Sequence, residues 1–378
     1  MNKKIIATLV TAVVLSPLAR ADETTIYGMI GAGVESVKAS GGSTTQPSMM
    51  RVEDENSRIG FKGVENLGNG MSSIWQVESS LKNFAQGGVN DKGEGATFAT
   101  RNTFVGLSDT QLGTLQMGNY DSAYKRLTTL DVGTNVMANT TADTNAASAV
   151  VTRGDQRLKN SVHYLTPVWR GFQFGASWGA DETADGQQRV SLAGHYSNGP
   201  FIVALGYDHQ GNTTNTLSAT SGMSAAKTST GAGTDYTKLA AGYTFSTGTW
   251  LGASFERANY ATVGHLGTMT QNDWTVAATQ AIGRASVKLS YNKLMGLSNA
   301  YIGGSDDWGA EQWVLGATYD LSKATQLFSY YTRLKNDRLQ NADFAVAPIY
   351  TSGVGSSSAA LAPGNTLSAL GVGMRYTF

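Results

Sequence analysis

From Thr24 onward, apolar and polar side chains alternate with period two in about sixteen segments of eight to fourteen residues. Phe201, Val203, Leu205 and Tyr207 fall on one face of such a segment, with Ala204, Gly206 and Asp208 on the other. Leu239, Ala241, Tyr243 and Phe245 stand in the same relation to Lys238, Ala240, Gly242 and Thr244. So do Ala285, Val287, Leu289 and Tyr291 to Ser286, Lys288, Ser290 and Asn292, and Trp313, Leu315, Ala317 and Tyr319 to Gln312, Gly316, Thr318 and Asp320. One face is apolar throughout and the other small, polar or charged, which predicts β-strands lying between two different environments. Alternation by itself fits a secreted β-sandwich or lectin-like domain as well as a barrel.

The connections separate these readings. Tight links at 65–69, 109–111, 166–170, 198–199, 246–248, 282–284 and 321–323 alternate with long polar stretches. The long stretches run over 38–56, 80–97, 120–156, 211–235, 259–271, 296–310 and 335–365, with a shorter one at 181–187. Asn198-Gly199 and Thr247-Gly248 carry the glycine that short hairpins demand. Tight turns on one rim and long loops on the other are the layout of an up-and-down transmembrane barrel, whereas a sandwich has no reason to keep it. Ten residues rising ~3.3 Å each and tilted ~40° climb about 25 Å, the height of the apolar band such barrels present to lipid.

The predicted fold is therefore all-β: a closed 16-stranded antiparallel barrel over residues 22–378, without a linker or second domain. Sixteen strands ~4.8 Å apart close at a backbone diameter of roughly 30 Å, a hole that needs something folded into it. The connection from Tyr120 to Gln156, the longest before residue 300, is the candidate. It is rich in small residues, and its acids are Asp121, Asp131, Asp143 and Asp155. The low-complexity stretches Thr213–Thr230 and Ser352–Ala362 read as solvated loop tips.

Composition narrows the setting. Forty-five glycines and six prolines suit an all-β chain, and the absence of cysteine removes disulfides and thiolate chemistry. Residues 1–21 read as a secretory leader: Lys3 and Lys4, an apolar run from Ile5 to Leu15, then Ala19-Arg20-Ala21. That run falls short of the ~20 residues a spanning helix needs. Its removal leaves 25 basic against 28 acidic side chains, so no nucleic-acid partner is indicated. His163, His195, His209 and His265 are dispersed, and neither a G-x-S-x-G elbow nor an HExxH helix is present, so no metal, cofactor or enzyme activity is expected. A hydrolase converging from separate strands is not excluded by sequence.

The chain ends Gly371-Val372-Gly373-Met374-Arg375-Tyr376-Thr377-Phe378, with Val372, Met374, Tyr376 and Phe378 on one face and Arg375 and Thr377 on the other. Phe378 and Tyr376 suit an interfacial girdle and look like the signal that outer-membrane barrels offer to their assembly machinery. Here the chain resembles the general porins of Gram-negative bacteria, especially the neisserial and beta-proteobacterial type. Thr25-Ile26-Tyr27-Gly28 resembles that family's opening strand, and Ser57 to Gly70 (SRIGFKGVENLGNG) its hallmark hairpin, with Asn66 where Asp is usual. Arg101 to Leu107 (RNTFVGL), then Gly113 and Gly118, resembles the strand before the inward loop, with Asn119 where Arg is common. Arg157 to Ser161 (RLKNS), then Tyr164, Pro167, Gly171 and Phe172, resembles the strand after it.

The resemblance implies passive diffusion of ions and small hydrophilic solutes through a water-filled pore, a homotrimer, and a surrounding of outer-membrane lipid and lipopolysaccharide. It implies that the third loop, about 120–156, folds inward to make the constriction. Ile59 and Phe61 must face lipid, which sends Arg58 and Lys62 into the lumen. Alternation likewise puts Arg157 and Lys159 together opposite Leu158, and Phe104 in the outward row of the strand that Arg101 starts. Arg58, Arg101, Arg157 and Lys159 match the family's basic wall, and Asp121 and Asp131 are the candidate loop acids opposite it; Lys62 and Arg153 read as ordinary solvated lumen charges. The Pro-Glu-Phe-type loop tip of some relatives is absent. A weak preference for anions is expected, since local charge outweighs net charge at a narrow point. A substrate-specific sugar or carboxylate channel, marked by a track of lumen aromatics, and an adhesin are the other readings.

Overall fold

The computed structural model describes residues 23–81, 98–130, 149–181, 187–211, 213–227, 233–262, 267–344, 348–349 and 360–378. The expected leader lies outside them. Strands run as β1 (Glu23–Ser40), β2 (Gln46–Asp54), β3 (Arg58–Gly68), β4 (Met71–Ser80), β5 (Thr103–Asp109), β6 (Gly113–Asp121), β7 (Arg157–Leu165), β8 (Phe172–Gly179), β9 (Arg189–Asn198) and β10 (Phe201–Gln210). After a separate hairpin, β11 (Thr213–Ser218) and β12 (Gly222–Lys227), come β13 (Thr234–Thr244), β14 (Thr249–Ala261), β15 (Thr268–Ile282), β16 (Ala285–Leu294), β17 (Ala310–Asp320), β18 (Thr325–Asn336) and β19 (Thr366–Thr377).

Each wall strand pairs antiparallel with its neighbours, and β19 returns to β1. The Gly28 amide donates to the Phe378 carbonyl at 2.9 Å and the Phe378 amide to Gly28 at 3.1 Å, so the ring of hydrogen bonds closes at the two ends of the chain. β2 and β3 pair in succession with the upper and lower parts of β1 and share one position in the wall, which gives the sixteen-stranded barrel that the alternation predicts. The tight links stand where glycine and polar residues placed them, on one rim.

The barrel is inside-out. On β17, Val314 is 3% exposed while Leu315 beside it is 52% exposed, and the outward row of β10 carries Phe201, Leu205 and Tyr207. A hydrocarbon surround accounts for that exposure, because the same row in water would favour aggregation.

Two bulges depart from the predicted register. Residues 38–56, expected as a loop, are mostly strand: β1 runs on to Ser40 and β2 begins at Gln46. Alternation fails there because Glu55-Asn56-Ser57 opposes only Ile30 and Gly31. Asn56 takes a left-handed φ of 60°, which Asn tolerates. Ser57 Oγ accepts from the Gly31 amide at 2.9 Å, and Asp54 Oδ1 accepts from the Ser57 amide at 2.8 Å, so the interruption leaves these groups paired. The extra residue resets parity: Arg51 and Glu53 point inward before it, Arg58 and Lys62 after it. The second bulge is in β7, at Asn160 (φ 48°), where the pairing with β6 shifts register.

Candidate functional site

The third loop enters the lumen at once. Ser122 caps a short helix, α1 (Ala123–Thr128), by accepting from the Lys125 amide at 3.2 Å, and its own amide bonds the Gln156 carbonyl at 3.0 Å, tying the loop's two ends together. The Ala123 and Tyr124 amides donate to Ser177 and Ser191 Oγ, each at 2.8 Å, on the inner faces of β8 and β9. Helix and wall touch closely enough that a Cβ at Gly206 would lie 2.7 Å from Thr128 Cγ2. Leu130 then packs on inward-facing Trp250 and Ala277 of β14 and β15. The loop therefore folds inward as predicted. Its middle, residues 131–148 with Asp131 and Asp143, lies outside the described residues.

The returning arm docks on a charged row. Lys238, Glu256 and Asp273 are register partners across β13, β14 and β15. Carboxylates side by side repel, so the row needs cations and donors from elsewhere. The loop supplies a cation in Arg153 and a donor in the Gly154 amide, while Asp155 adds a further acceptor for Lys238. Asp155 accepts from Lys238 Nζ at 2.5 Å, and the Gly154 amide donates to Glu256 Oε1 at 3.1 Å. Arg153 Nη1 bonds Gln271 Oε1 at 2.8 Å, with its guanidinium over the Tyr260 ring. Lys238 also reaches Glu256 at 3.2 Å, and Tyr124 donates to Glu256 Oε2 at 2.7 Å. The Lys238, Asp155 and Glu256 side chains are 2% exposed or less. Arg153, expected as a solvated lumen charge, is thus buried and fastened. Asp155 is likewise a wall contact. The signal for this latch was present in the sequence, as inward-parity charges on consecutive strands, but only the register aligns them.

A second charged group lines the wall from β1 to β5. Arg58 and Arg101 share Glu78, with Arg101 Nε 2.6 Å from Oε1 and Arg58 Nε 4.0 Å from Oε2. Arg101 Nη1 also bonds Asn56 Oδ1 at 3.1 Å, and Tyr27 donates to Glu78 Oε2 at 3.0 Å. Beside them Arg375 of β19 meets Glu55 at 3.0 Å. Arg51 meets Glu35 at 2.6 Å, and Tyr330 donates to the same carboxylate. The layers differ in depth: the Arg58 and Arg375 side chains are about one-third exposed (33% and 32%), whereas those of Glu78 and Glu55 are 8% and 12% exposed. At these two positions the arginine is the water-facing partner, whereas the Arg101 and Arg51 side chains are 13% and 5% exposed and lie deeper with their carboxylates. Sequence reading found Arg58 and Arg101 and placed Arg375 on the inward face, but missed it and Arg51 as members of the group. Lys62 lies inward over the Tyr27 ring, as expected.

Arg157 and Lys159 stand apart from that group. The β7 bulge turns Leu158 inward, buried at 1% exposure, so Arg157 and Lys159 take the face away from it. Arg157 Nη2 meets Asp121 at 3.2 Å and Nε bonds Asn102 Oδ1 at 2.7 Å, while Lys125 reaches Asp121 at 3.2 Å. Arg157 and Asp121 are thus partners at the loop's root and do not face each other across the pore. Phe104, expected outward, points inward: it pairs with Gly118 and Gln76 and packs edge-on against Tyr120, 4.8 Å between ring centres. Arg101 lies before β5, where Ala99 has a positive φ, so strand alternation does not govern it.

The mouth is more filled than the loop reading allowed. The stretch beginning at Thr213 forms the β11–β12 hairpin, and its Leu217 and Met223 are buried with Tyr124, Tyr236, Tyr260 and Trp308. On the outside, Tyr376 and Phe378 are exposed and stacked, 6.3 Å between ring centres.

The family model described as Gram-negative porin matches residues 7–339. An outer membrane porin protein of Bordetella pertussis is 29% identical over 87% of this chain and 94% of its own length. The major outer membrane protein P.IB of Neisseria gonorrhoeae is 26% identical over 86% of this chain and 91% of its own. Among solved structures, an anion-selective porin from Comamonas acidovorans superposes with a TM-score of 0.68 at 21% identity, covering 94% of this chain and 99% of that one, a likeness of fold. The chain belongs to the Gram-negative porins, the outer-membrane barrels through which ions and small hydrophilic solutes diffuse passively.

Proposed function

We propose that Arg58, Arg101 and Arg375 form the basic side of the constriction and give this pore a weak preference for anions. One observation carries the reading: the Arg58 and Arg375 side chains are about one-third exposed, while the carboxylates they meet, Glu78 and Glu55, are far more buried; Arg101, itself mostly buried, holds Glu78. An ion passing near the wall meets the nearer charge more strongly, because Coulomb energy falls with distance and the lumen is narrow. Arginine suits this, being always ionised and weakly hydrated. Arg157 instead fixes Asp121 at the loop's root, and Lys159, on the face away from Leu158, is not part of that basic side.

The molecule works as a homotrimer without catalytic chemistry; His163, whose ring nitrogens bond Ser161 and Ser177 at 2.7 Å each, has a structural part. A sugar-track channel fits less well, since Tyr124, Tyr236, Tyr260 and Trp308 face inward yet are buried under loops instead of lining water. Outside, lipid and lipopolysaccharide surround the barrel, and the Tyr376–Phe378 pair is the surface offered to the assembly machinery. The test is a planar bilayer with a salt gradient. Wild type should give a reversal potential on the anion side, and Arg58→Glu should move it toward cations while unit conductance stays large. An unmoved potential in a folded Arg58→Glu protein would remove Arg58 from the constriction.

A further inference from the structure

The strip of inner wall from β17 round to β1 is apolar. Val314 of β17, Leu334 of β18, Leu367 of β19 and Val37 of β1 point inward by register, and each is at most 3% exposed. Apolar side chains facing a water-filled lumen would stay wet, and these do not. Their cover comes from the described parts of the connection between β18 and β19, residues 337–344, 348–349 and 360–365, which the sequence presents as a solvated outer loop. Ala342, Phe344 and Ile349 from it pack on the strip, in one cluster with Val150 and Val151 of the third loop's returning arm.

Directional contacts fix the same connection. The Asn336 side chain pairs both ways with the Ala342 backbone, at 2.8 Å in each direction. Arg51 Nη1 donates to the Pro348 carbonyl at 2.7 Å while Glu35 holds its Nε. At the rim, Arg338 grips Asp307 at 2.6 Å, and Asn341 Nδ2 donates to the Ser221 carbonyl at 2.7 Å. The wall, the third loop and two neighbouring connections all hold it.

We propose that this last connection is a second constricting element of the pore. Its described parts occupy the lumen beside β17–β1, and through the core they share with Val150 and Val151 they set where the returning arm of the third loop stands. The solute size limit then belongs to two loops jointly.

The chain has no cysteine, so Ala342→Cys gives a single thiol without removing a contact. In the folded barrel it should react with an aqueous thiol reagent at least about tenfold more slowly than Thr220→Cys, which lies on an exposed turn. Equal rates would place the connection outside the lumen and end the proposal. The combined Phe344→Ala and Ile349→Ala variant should raise unit conductance and admit larger polyethylene glycols, and so should Val150→Ala with Val151→Ala. Joining the two pairs should give less than the sum of their effects, because they empty one core. Full additivity, or an unchanged cut-off in folded protein, would overturn the shared-element reading. If the truncations do not fold, the labelling comparison decides alone.

Discussion

Among the described residues, two arginine- or lysine-carboxylate groups of the lumen differ in one telling respect. The wall group, Arg58, Arg101 and Arg375 with Glu78 and Glu55, keeps two of its guanidiniums about one-third exposed. The latch group, Lys238 with Asp155 and Glu256, leaves its side chains 2% exposed or less. Where water reaches a charge, the charge acts on passing ions and contributes little to the fold. Where water is shut out, removing one partner strands the other, and the group fastens a loop. The same residue types thus set a field in one place and hold a shape in the other.

The sharpest way to break this contrast is Lys238→Met. It leaves Asp155 and Glu256 buried without their cation and should cost about 3–5 kcal/mol, read from denaturant unfolding in detergent. Its channels should be noisy, with an unsettled third loop. Loss of stability with quiet, unchanged conductance would mean the latch does not position the loop. Next comes Arg101→Met, which removes the 2.6 Å partner of a nearly buried Glu78 and should cost roughly 1–3 kcal/mol. It should also weaken anion preference, as the latch variant need not. Arg58→Glu, which sets a second carboxylate near Glu78 at a one-third-exposed position, should cost about 1 kcal/mol while producing the largest selectivity change of the set. That selectivity should fade as salt rises, since exposed charge is screened.

A smaller effect concerns pH. Burial pushes the Asp343 carboxyl up to about 7, against two amides, Phe344 and Ile349, that favour its charged form. The folded loop then binds a proton that the unfolded chain releases near ~4. Its stabilising contribution is full below the unfolded value and is lost as pH rises toward about 7. Labelling of Ala342→Cys, normalised to a free thiol at each pH, should be slower at pH 5 than at pH 8 by these values. The smallest effect is expected at Asp307, whose carboxyl the Arg338 hydrogen bond holds below its ordinary value at the rim. That contact should persist through neutral pH, loosen as pH falls through the lowered value, and weaken with salt, as the chemical shift of the Asp307 carboxyl carbon would report.

Much of this was legible in the chain. Outward rows such as Phe201-Val203-Leu205-Tyr207, the tight links and the placing of Arg58 and Lys62 follow from the alternation, and the inward course of the third loop followed from the family resemblance. Period-two alternation is a local property, and lipid on one side makes it strict. Three readings failed where that locality fails. Arg157 and Lys159 turned away because one extra residue at Asn160 reverses parity without leaving a gap in the pattern. Phe104 turned inward because an aromatic in a lumen looks, in sequence, like one in lipid. The connections after β10 and β18 proved to be packing elements because their apolar residues are sparse and find partners only across the barrel.

Sequence by itself determined the inside-out strands, their number and the rim each connection occupies, since neighbouring residues along one strand suffice to state which face meets hydrocarbon. Only the tertiary structure decided which charges meet water and which lie sealed, because exposure depends on what the far wall and the folded loops bring. Lys238, Glu256 and Asp273 stand far apart in the chain, and it is closure of the barrel that sets them in one row beneath the loop that completes it.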